Sequence, residues 1–316
     1  MNYTNTGNKE TRAGFGVGLL EAGRNNPNIV ALTADLSGSV KTDAFAAEFP
    51  ERFINTGIAE ANMINIAAGL ALSGKIPFAG SFAVFATGRV YDQIRQSVAY
   101  SKTNVKICGS HAGLTLGEDG ATHQILEDFA LMKTLPNMVV LSPCDYNQTK
   151  AATIAAANYT GPVYIRYGRP SVPNFTPENE NFEIGKAQKL VEGNDVSIFA
   201  TGHLVWEALL ACDELKKQGI SAEVINIHTI KPLDVKAILE SASKTGAVVS
   251  AEEHFRNGGL GESIANVLVT NTKTPMEIIA VDDKFGQSGK PMELLEEYHL
   301  TNPYIVEAAK KAISRK

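Results

Sequence analysis

Short apolar runs alternate along the chain with longer segments whose apolar residues recur at helical spacing. Runs of about four to eight apolar residues are typical of buried strands, and longer amphipathic segments are typical of helices. In the first half, this pattern predicts strands at 29–34, 53–56, 76–79, 105–108, 138–141 and 163–166. Helices are predicted at 12–24, 42–49, behind Gly57, through 89–95, and at 126–135 and 146–157.

The second half repeats the alternation, with strands predicted at 196–200, 222–227, 247–250 and 276–280 and helices at 204–218, 235–243 and 261–270. Strands that alternate with helices through short connections predict mostly parallel, doubly wound sheets. Between the halves, residues 170–181 carry three prolines among polar residues, which is typical of a linker. We therefore expect an α/β protein with domains at 1–170 and 185–316, joined by a linker at 171–184.

Composition narrows the class of protein. The net charge of −5 argues against general binding to nucleic acid or to an anionic membrane. No apolar run is long enough to span a bilayer, and the first residues lack the apolar core of a signal peptide. The three cysteines are far apart, so neither a disulfide framework nor a cysteine-based zinc site is indicated. We expect a cytoplasmic protein.

The helix behind Gly57 is the most apolar segment, with apolar residues over most of its circumference between Met63 and Leu72. A helix that is apolar nearly all round is expected to be buried. Glu60 lies in its first turn, where an acidic residue ordinarily complements the helix dipole. The alternative is a functional carboxylate at the edge of a core.

Two polar segments follow predicted strands. Residues 35–39 come directly after one strand, and the loop 109–124 follows another with four glycines, two histidines and two acidic residues. Open α/β sheets bind ligands beyond the carboxyl ends of their strands. The first segment could also be an ordinary turn, and a lone histidine is often structural. Long loops in compact domains are usually functional or disordered, and apolar flanks argue against disorder here. We therefore predict a polar pocket.

Three motifs together resemble the transketolases: Gly57-Ile-Ala-Glu60-Ala-Asn-Met, Gly80-Ser-Phe82-Ala-Val-Phe85 and Gly117-Glu-Asp-Gly-Ala-Thr-His-Gln124. The resemblance extends from about residue 11 to the end of the chain. It implies a pyrimidine-binding domain followed by a transketolase C-terminal domain. The implied activity is the thiamine-diphosphate-dependent transfer of a two-carbon ketol unit from a ketose phosphate to an aldose phosphate.

The resemblance also assigns roles to individual positions. It makes Glu60 the carboxyl that hydrogen-bonds the ring nitrogen of the cofactor's aminopyrimidine, and it places Glu60, His111 and His123 in catalysis. The cofactor-binding positions are Asp35, Glu60, Phe82 and Phe85, with both phenylalanines stacking on the pyrimidine. The positions that contact the donor sugar or its phosphate are Arg12, Ser39, His111, Asp119, His123 and Arg169. Arg166 remains an alternative to Arg169 as the phosphate ligand.

One family pattern is missing. Related enzymes hold magnesium and the diphosphate with a Gly-Asp-Gly segment followed by a later Asn, and oxygen ligands of this kind suit magnesium. This chain contains no Gly-Asp-Gly. The resemblance therefore implies the C-terminal subunit of a split transketolase, with an N-terminal partner subunit holding most of the diphosphate and the magnesium. Self-association through the apolar flank of the central helix is also expected.

Three alternatives remain open. Gly88 stands where many transketolases have tyrosine, and the next five residues look more like deoxyxylulose-phosphate synthases. The β subunits of 2-oxo-acid dehydrogenases have the same two-domain length but lack the 117–124 motif. A binding or regulatory subunit could keep the fold without activity. The physiological sugar is also open. Four histidines are assigned structural roles by default: His203, His228, His254 and His299.

Overall fold

The computed structural model describes residues 3–179 and 181–316. Within them the strands are β1 (Asn8–Glu10), β2 (Ile29–Thr33), β3 (Phe53–Asn55), β4 (Ile76–Phe82), β5 (Lys106–Ser110), β6 (Val139–Leu141), β7 (Val163–Arg166), β8 (Ser171–Pro173), β9 (Gln188–Val191), β10 (Val196–Ala200), β11 (Ala222–Asn226), β12 (Thr229–Lys231), β13 (Val248–Phe255) and β14 (Met276–Val281).

The helices are α1 (Thr11–Asn25), α2 (Ser37–Val40), α3 (Asp43–Glu48), α4 (Glu60–Leu72), α5 (Tyr91–Gln93), α6 (Asp128–Thr134), α7 (Tyr146–Asn158), α8 (Leu204–Lys217), α9 (Val235–Thr245), α10 (Leu260–Asn271), α11 (Pro291–Glu297) and α12 (Asn302–Ile313). Short 3₁₀ turns at Pro50–Arg52 and Leu114–Leu116 and π-helical turns at Val84–Gly88 and Ile94–Tyr100 complete the described elements.

Two mostly parallel sheets form the molecule. The first has the order β12-β6-β7-β5-β4-β2-β3, and every neighbouring pair from β6 to β3 is parallel. The second has the order β14-β13-β10-β11-β9, and only β9 among its described strands runs antiparallel. The central strands β2, β5 and β10 are buried along their whole length, as strands covered on both faces must be. The predicted α/β fold class is confirmed.

The first sheet has a topological switch point beside β2. The chain passes from β2 to β3 on one side and then returns to place β4 on the other side of β2. Loops that leave neighbouring strands in opposite directions open a crevice at their carboxyl ends. Residues 34–39 and 82–85 follow the two strands that border this crevice.

Close packing of α1 on α7 holds the start of α1 at the same edge of the sheet. A Cβ atom on Gly14 would lie 2.2 Å from the carbonyl oxygen of Tyr146, and one on Gly18 would lie 2.8 Å from that of Lys150. Neither contact is possible for a larger residue, so these glycines allow the two helix backbones to meet.

The prediction that the helix behind Gly57 is buried all round is wrong. Met63, Ile64 and Ala67 of α4 are buried against the sheet, but the opposite face is open. Leu72 is 76% exposed, and Ile58, just before the helix, is 80% exposed. Helices on the face of a sheet are covered on one side only. Apolar composition alone does not reveal which chain, if any, covers the other side.

The first residues of the segment expected to be a linker pack against both halves of the chain. Its strand β8 pairs antiparallel with β1, which the sequence pattern did not predict, and Phe175 packs at 5.3 Å from the ring of Trp206. Prolines suit an edge strand such as β8, because its outer positions need no hydrogen-bond donor. The sequence pattern also left β9, β12, α11 and α12 unassigned.

The two sheets share one apolar core. Strand β12 comes from the second half of the chain but extends the first sheet, pairing antiparallel with β6. One continuous cluster of buried side chains includes Met63 and Phe129 from the first half and Ile225 and Leu260 from the second. In the described residues, no helix is both long and apolar enough to cross a bilayer.

Candidate functional site

Most predicted site residues follow the carboxyl ends of parallel strands in the first sheet, which meet at one edge. They are Asp35 and Ser39 after β2, Glu60 after β3, Phe82 and Phe85 at the end of β4, His111, Asp119 and His123 after β5, and Arg169 after β7. Arg12, in the first turn of α1, joins them through contacts with His111 and Ser39.

Glu60 is a buried carboxylate with a cationic partner. Its side chain is 4% exposed, and Oε2 accepts a hydrogen bond of 3.1 Å from Nη1 of Arg89. The Arg89 guanidinium lies over the ring of Phe85, with 4.2 Å between the guanidinium carbon and the ring centroid. Arg89 itself is half exposed. The predicted catalytic carboxyl therefore sits beside a predicted aromatic platform, with an arginine touching both.

Four aromatic rings line the crevice. Phe82 stacks on His111 with 3.9 Å between ring centroids, and its ring is nearly parallel to that of Phe85 at 6.0 Å. His123 presents its edge to Phe85 at 5.4 Å and to Phe82 at 6.4 Å. Flat apolar faces bounded by imidazole nitrogens can hold a heteroaromatic ring or a polar substrate. The structure thus brings together four residues that the sequence placed in one site.

His111 is held neutral and in a left-handed backbone conformation, with φ at 60°. Nδ1 lies 2.8 Å from Oγ of Ser110, and Nε2 lies 3.4 Å from Nη1 of Arg12. Because an arginine can only donate, Nε2 is the acceptor and Nδ1 carries the hydrogen, which it donates to Ser110. Burial, followed by the charges of Arg12 and Arg169, lowers the pKa of His111 to about 3. Its Nε2 is therefore unprotonated at neutral pH and faces the Arg12 guanidinium.

Most donors of Arg12 are already engaged. Nε and Nη2 donate to the two carboxylate oxygens of Glu10, at 3.1 and 2.7 Å, and Nη1 donates to the carbonyl oxygen of Ser39. The pKa of Glu10 is lowered, chiefly by its hydrogen bond to Arg12. This pair fixes the guanidinium between α1 and the crevice. Ser39 takes part through its backbone, not through its hydroxyl.

The two candidate phosphate ligands differ in access. Arg166 is buried: Nε donates to Asp128 at 2.8 Å, and Nη2 donates to the carbonyl oxygen of Glu253. Arg169 is partly exposed, donates to the carbonyl oxygen of Leu116 and has carboxylate oxygens of Glu118 and Asp119 at 3.7 Å. The donors of Arg166 are thus engaged in buried hydrogen bonds, whereas Arg169 is accessible.

Asp35 stands apart from the other predicted residues. It too has a left-handed backbone, with φ at 61°, and it forms a reciprocal pair with Asn55: Asn55 Nδ2 donates to Asp35 Oδ1, and Asp35 N donates to Asn55 Oδ1. In the described part of the chain, no hydrogen bond or ion pair joins Asp35 to another predicted site residue. Asp35 is exposed.

Residues of the second half of the chain hold the loop 109–124 in place through hydrogen bonds. Glu253 accepts hydrogen bonds from the backbone N–H of Thr115 at 2.6 Å and from its hydroxyl at 3.3 Å, and it pairs with His203 at 2.7 Å. Gln124 donates to the carbonyl oxygen of Gln287 at 3.0 Å. The loop that carries His111 and His123 is therefore anchored near its middle and at its last residue by the other half of the chain.

Sequence reasoning assigned no role to three residues of this site. Arg89 contacts Glu60 across 29 positions, and Glu253 contacts Thr115 across 138, so no local pattern joins either pair. Glu10 binds Arg12 only two positions away, but β1 was not predicted. The one available signal was chemical: each is a charged residue close to a residue already singled out, Arg89 after Gly88, Glu253 before His254 and Glu10 near Arg12.

Comparisons with known proteins identify the family. Residues 8–174 match the model of the transketolase pyrimidine-binding domain, and residues 185–305 match that of the transketolase C-terminal domain. A protein of Methanocaldococcus jannaschii, described as a proposed transketolase C-terminal section, is 50% identical over 92% of both chains.

Two further relatives have subunit names. A 6-deoxy-6-sulfo-D-fructose transketolase subunit of Clostridium sp. strain MSTE9 is 47% identical, over 94% of this chain and 92% of the relative. A solved structure titled as a split gene transketolase, inactive beta4 tetramer, superposes with a TM-score of 0.91 at 49% identity. The match covers 96% of this chain and 98% of the other. The chain therefore belongs to the transketolase family, and it resembles members that are encoded as separate sections.

Proposed function

We propose that this chain is the C-terminal subunit of a two-chain, thiamine-diphosphate-dependent transketolase. The observation that carries the proposal is the position of Glu60. It is a buried carboxylate at the carboxyl edge of a parallel sheet, beside the Phe82–Phe85 aromatic pair and below a loop with two histidines. This combination suits a proton-sharing carboxyl at an aromatic-lined ligand site.

The residues fit the pyrimidine end of the cofactor. An aminopyrimidine is flat, which suits the ring of Phe85, and it offers polar ring atoms, which suit a buried carboxyl. When bound, thiamine diphosphate supplies a thiazolium carbon that can carry the transferred two-carbon unit. Glu60 would hold or release a proton at the pyrimidine ring nitrogen, and the aromatic walls would orient the ring and exclude water. The second half of the chain fixes this geometry by anchoring the loop.

The histidines suit the binding of a polyhydroxylated donor. His111 is neutral, and its Nε2 has only a long contact of 3.4 Å with Arg12, so a donor hydroxyl would replace that contact, donate to Nε2 and be held in register. His123 is less buried and has its Nδ1 2.9 Å from Oγ1 of Thr122. Its remaining nitrogen would contact a second hydroxyl. Asp119, near Arg169, would contact a third.

Arg169 is our candidate for the sugar phosphate. It is accessible, and its charge is close enough to His111 to help lower the pKa of that ring. Within the described residues it has only one hydrogen bond, to the carbonyl oxygen of Leu116. Arginine binds phosphate oxygens through its planar fork. The buried pair that Arg166 forms with Asp128 argues against it. Arg12 would add positive potential and its one spare N–H.

A partner chain is part of the proposal. The sequence has no Gly-Asp-Gly segment, and in the described residues no group of three or more His, Cys, Asp or Glu could hold a metal ion. Magnesium and most of the diphosphate would then bind to an N-terminal subunit. The exposed apolar residues around α4, Ile58 and Leu72, would serve self-association and assembly. The relatives named as sections, subunits or split-gene products support this arrangement.

The central test is Glu60→Gln in the enzyme reconstituted from this chain and a partner that carries Gly-Asp-Gly. Exchange of the thiazolium carbon proton should slow by about a hundred- to ten-thousand-fold, the usual contribution of a general acid–base group. Glu51→Gln, at an exposed position, is the matched control. This chain alone should show neither turnover nor cofactor binding at micromolar concentration. Normal exchange in a loaded Glu60→Gln enzyme would remove Glu60 from the mechanism.

The substrate class is tested at Arg169. Arg169→Ala should raise KM for a phosphorylated ketose by about tenfold or more, because a charged hydrogen bond contributes about 1.5–3 kcal/mol. It should leave KM for hydroxypyruvate nearly unchanged, since that donor has no phosphate. Arg24→Ala, on the surface of α1, is the control. Equal effects on both donors would contradict a phosphate role, and a preference for unphosphorylated donors would point to a different sugar class.

A further inference from the structure

We propose that Arg89 occupies the place of the aminopyrimidine ring in the unloaded chain and must leave it when the cofactor enters. The inference rests on the proposed function, because it takes Glu60 and Phe85 as the pyrimidine-binding residues. It adds that Arg89 competes with the cofactor, because its side chain makes the two contacts that the cofactor ring would make.

The geometry of Arg89 supports this reading. Its guanidinium donates to Glu60 at 3.1 Å and lies 4.2 Å from the centroid of the Phe85 ring. A guanidinium is a flat, delocalised group that stacks on aromatic faces and donates N–H groups in its own plane. An aminopyrimidine is also flat and also presents N–H groups in its plane. The carboxylate of Glu60 and the ring face of Phe85 can therefore hold either the guanidinium or the aminopyrimidine, because the two groups share a flat shape and in-plane N–H donors.

Of the two side chains in this contact, only that of Arg89 can move away. Arg89 is 51% exposed and follows the π-helical turn Val84–Gly88, so its side chain can swing into solvent. Glu60 is 4% exposed and begins α4, so its carboxylate cannot follow. The guanidinium can therefore leave when an incoming ring takes over its hydrogen bond to Glu60, because only then does the buried carboxylate keep a partner.

The charges of Arg89 and Glu60 also indicate that this ion pair is not permanent and that Arg89 is displaced. An ion pair with Arg89 requires the anionic form of Glu60. The proposed catalytic step instead needs Glu60 to share a proton with a ring nitrogen, and a guanidinium cannot release one. The pair therefore protects the buried carboxylate when no ring is present, since a buried charge without a partner is costly. It must open for the reaction.

The test is a titration of the isolated full-length chain with 4-amino-5-hydroxymethyl-2-methylpyrimidine, a neutral ring without diphosphate, followed by NMR. The Kd of Arg89→Met should be about three- to tenfold lower than that of the natural chain, the range expected when a partly exposed ion pair no longer competes. Arg95→Met, the same change six residues further along the chain at an exposed position, should not alter Kd. Added salt should tighten binding to the natural chain but not to Arg89→Met, because salt screens only the competing pair.

Each other outcome decides the matter. Equal dissociation constants for the natural chain and Arg89→Met would overturn the Arg89 proposal and leave the proposed function intact. Weaker binding by Arg89→Met would also overturn it and make Arg89 a ligand of the ring. Binding that survives Glu60→Ala lies elsewhere and counts against the proposal. No binding by any variant would also overturn the proposal, because the isolated chain would then have no pyrimidine site for Arg89 to occupy; the two-chain function is tested separately by Glu60→Gln in the reconstituted enzyme.

Discussion

At the scale of single residues, the site combines backbone strain with controlled protonation. His111 and Asp35 both adopt left-handed backbone conformations, which cost a non-glycine residue about 1 to 3 kcal/mol and persist only where the surroundings enforce them. For His111 the surroundings are Ser110, Arg12 and the ring of Phe82. The strained backbone orients the ring, and burial together with the adjacent positive charges keeps it unprotonated.

The protonation state of His111 can be measured. Because burial and two neighbouring arginines lower its pKa to about 3, its ring should not titrate between pH 5 and 8. Long-range ¹H–¹⁵N NMR spectra should show one neutral tautomer, with hydrogen on Nδ1, throughout this range. His111→Gln assigns the signals. A midpoint near the ordinary value of about 6.5 would contradict this description of the site.

At the scale of elements, the loop 109–124 depends on the second sheet for its shape. Glu253, on β13, accepts from Thr115 in the 3₁₀ turn, and there is no room for a side chain on Gly113, where an added Cβ would lie 2.3 Å from the Glu253 carboxylate. A long loop with polar backbone needs such partners, because buried N–H groups without acceptors are costly. The anchor lies on a different element from the residues proposed to be catalytic.

Removal of this anchor should loosen the loop. In Glu253→Ala the buried N–H of Thr115 loses its acceptor, which should cost about 1–3 kcal/mol of the free energy of unfolding. Amide hydrogen exchange should accelerate at residues 113–117, and KM for the donor should rise more than kcat falls. Glu192→Ala, on the exposed rim of the second sheet, is the control. Unchanged exchange in this loop would show that Glu253 is not its anchor.

At the scale of the whole molecule, the two halves act as one folded unit. His254, on β13, accepts hydrogen bonds from the first N–H groups of α6, including that of Phe129 at 3.1 Å, while its Nδ1 donates to the carbonyl oxygen of Phe255. Arg166 links Asp128 of the first half to the backbone of Glu253. Both polar contacts and a shared apolar core therefore join the two halves of the chain across one boundary.

This boundary should be sensitive to acid. Burial lowers the pKa of His254 and of His228 to about 4. Below about pH 6.5 the unfolded chain binds protons that these folded rings refuse. Their contribution to stability is therefore complete above pH 6.5 and is lost as the pH falls through 4, at up to about 1.4 kcal/mol per pH unit per histidine. Glu252 acts in the opposite sense, since burial raises its pKa to about 7.

A variant isolates the contribution of His254. Gln can accept the same N–H hydrogen bond but does not titrate in this range, so His254→Gln should show a shallower loss of stability between pH 6.5 and 4.5. Urea denaturation at several pH values measures the free energy of unfolding, and the Glu252 contribution cancels in the comparison. His299→Gln, at an exposed position, is the matched control. An unchanged pH dependence in His254→Gln would contradict this assignment.

The sequence by itself determined the fold class and most members of the site. Alternating apolar runs are local signals, and parallel strands necessarily bring their carboxyl ends to one edge. Residues placed after several strands were therefore expected at one edge. The motifs that resemble transketolases singled out Phe82, Phe85, His111 and His123, and the structure brings these four together.

Only the tertiary structure decided which charges pair and which faces are covered. With 29 basic and 34 acidic residues, the sequence allows many ion pairs, and folding selects Arg89 for Glu60 and Asp128 for Arg166. The open face of α4 likewise depends on which elements pack around it, because an apolar residue has the same sequence signal whether a neighbour covers it or not. Contacts between distant positions carry no local pattern, so their pairing became visible only once the chain was folded.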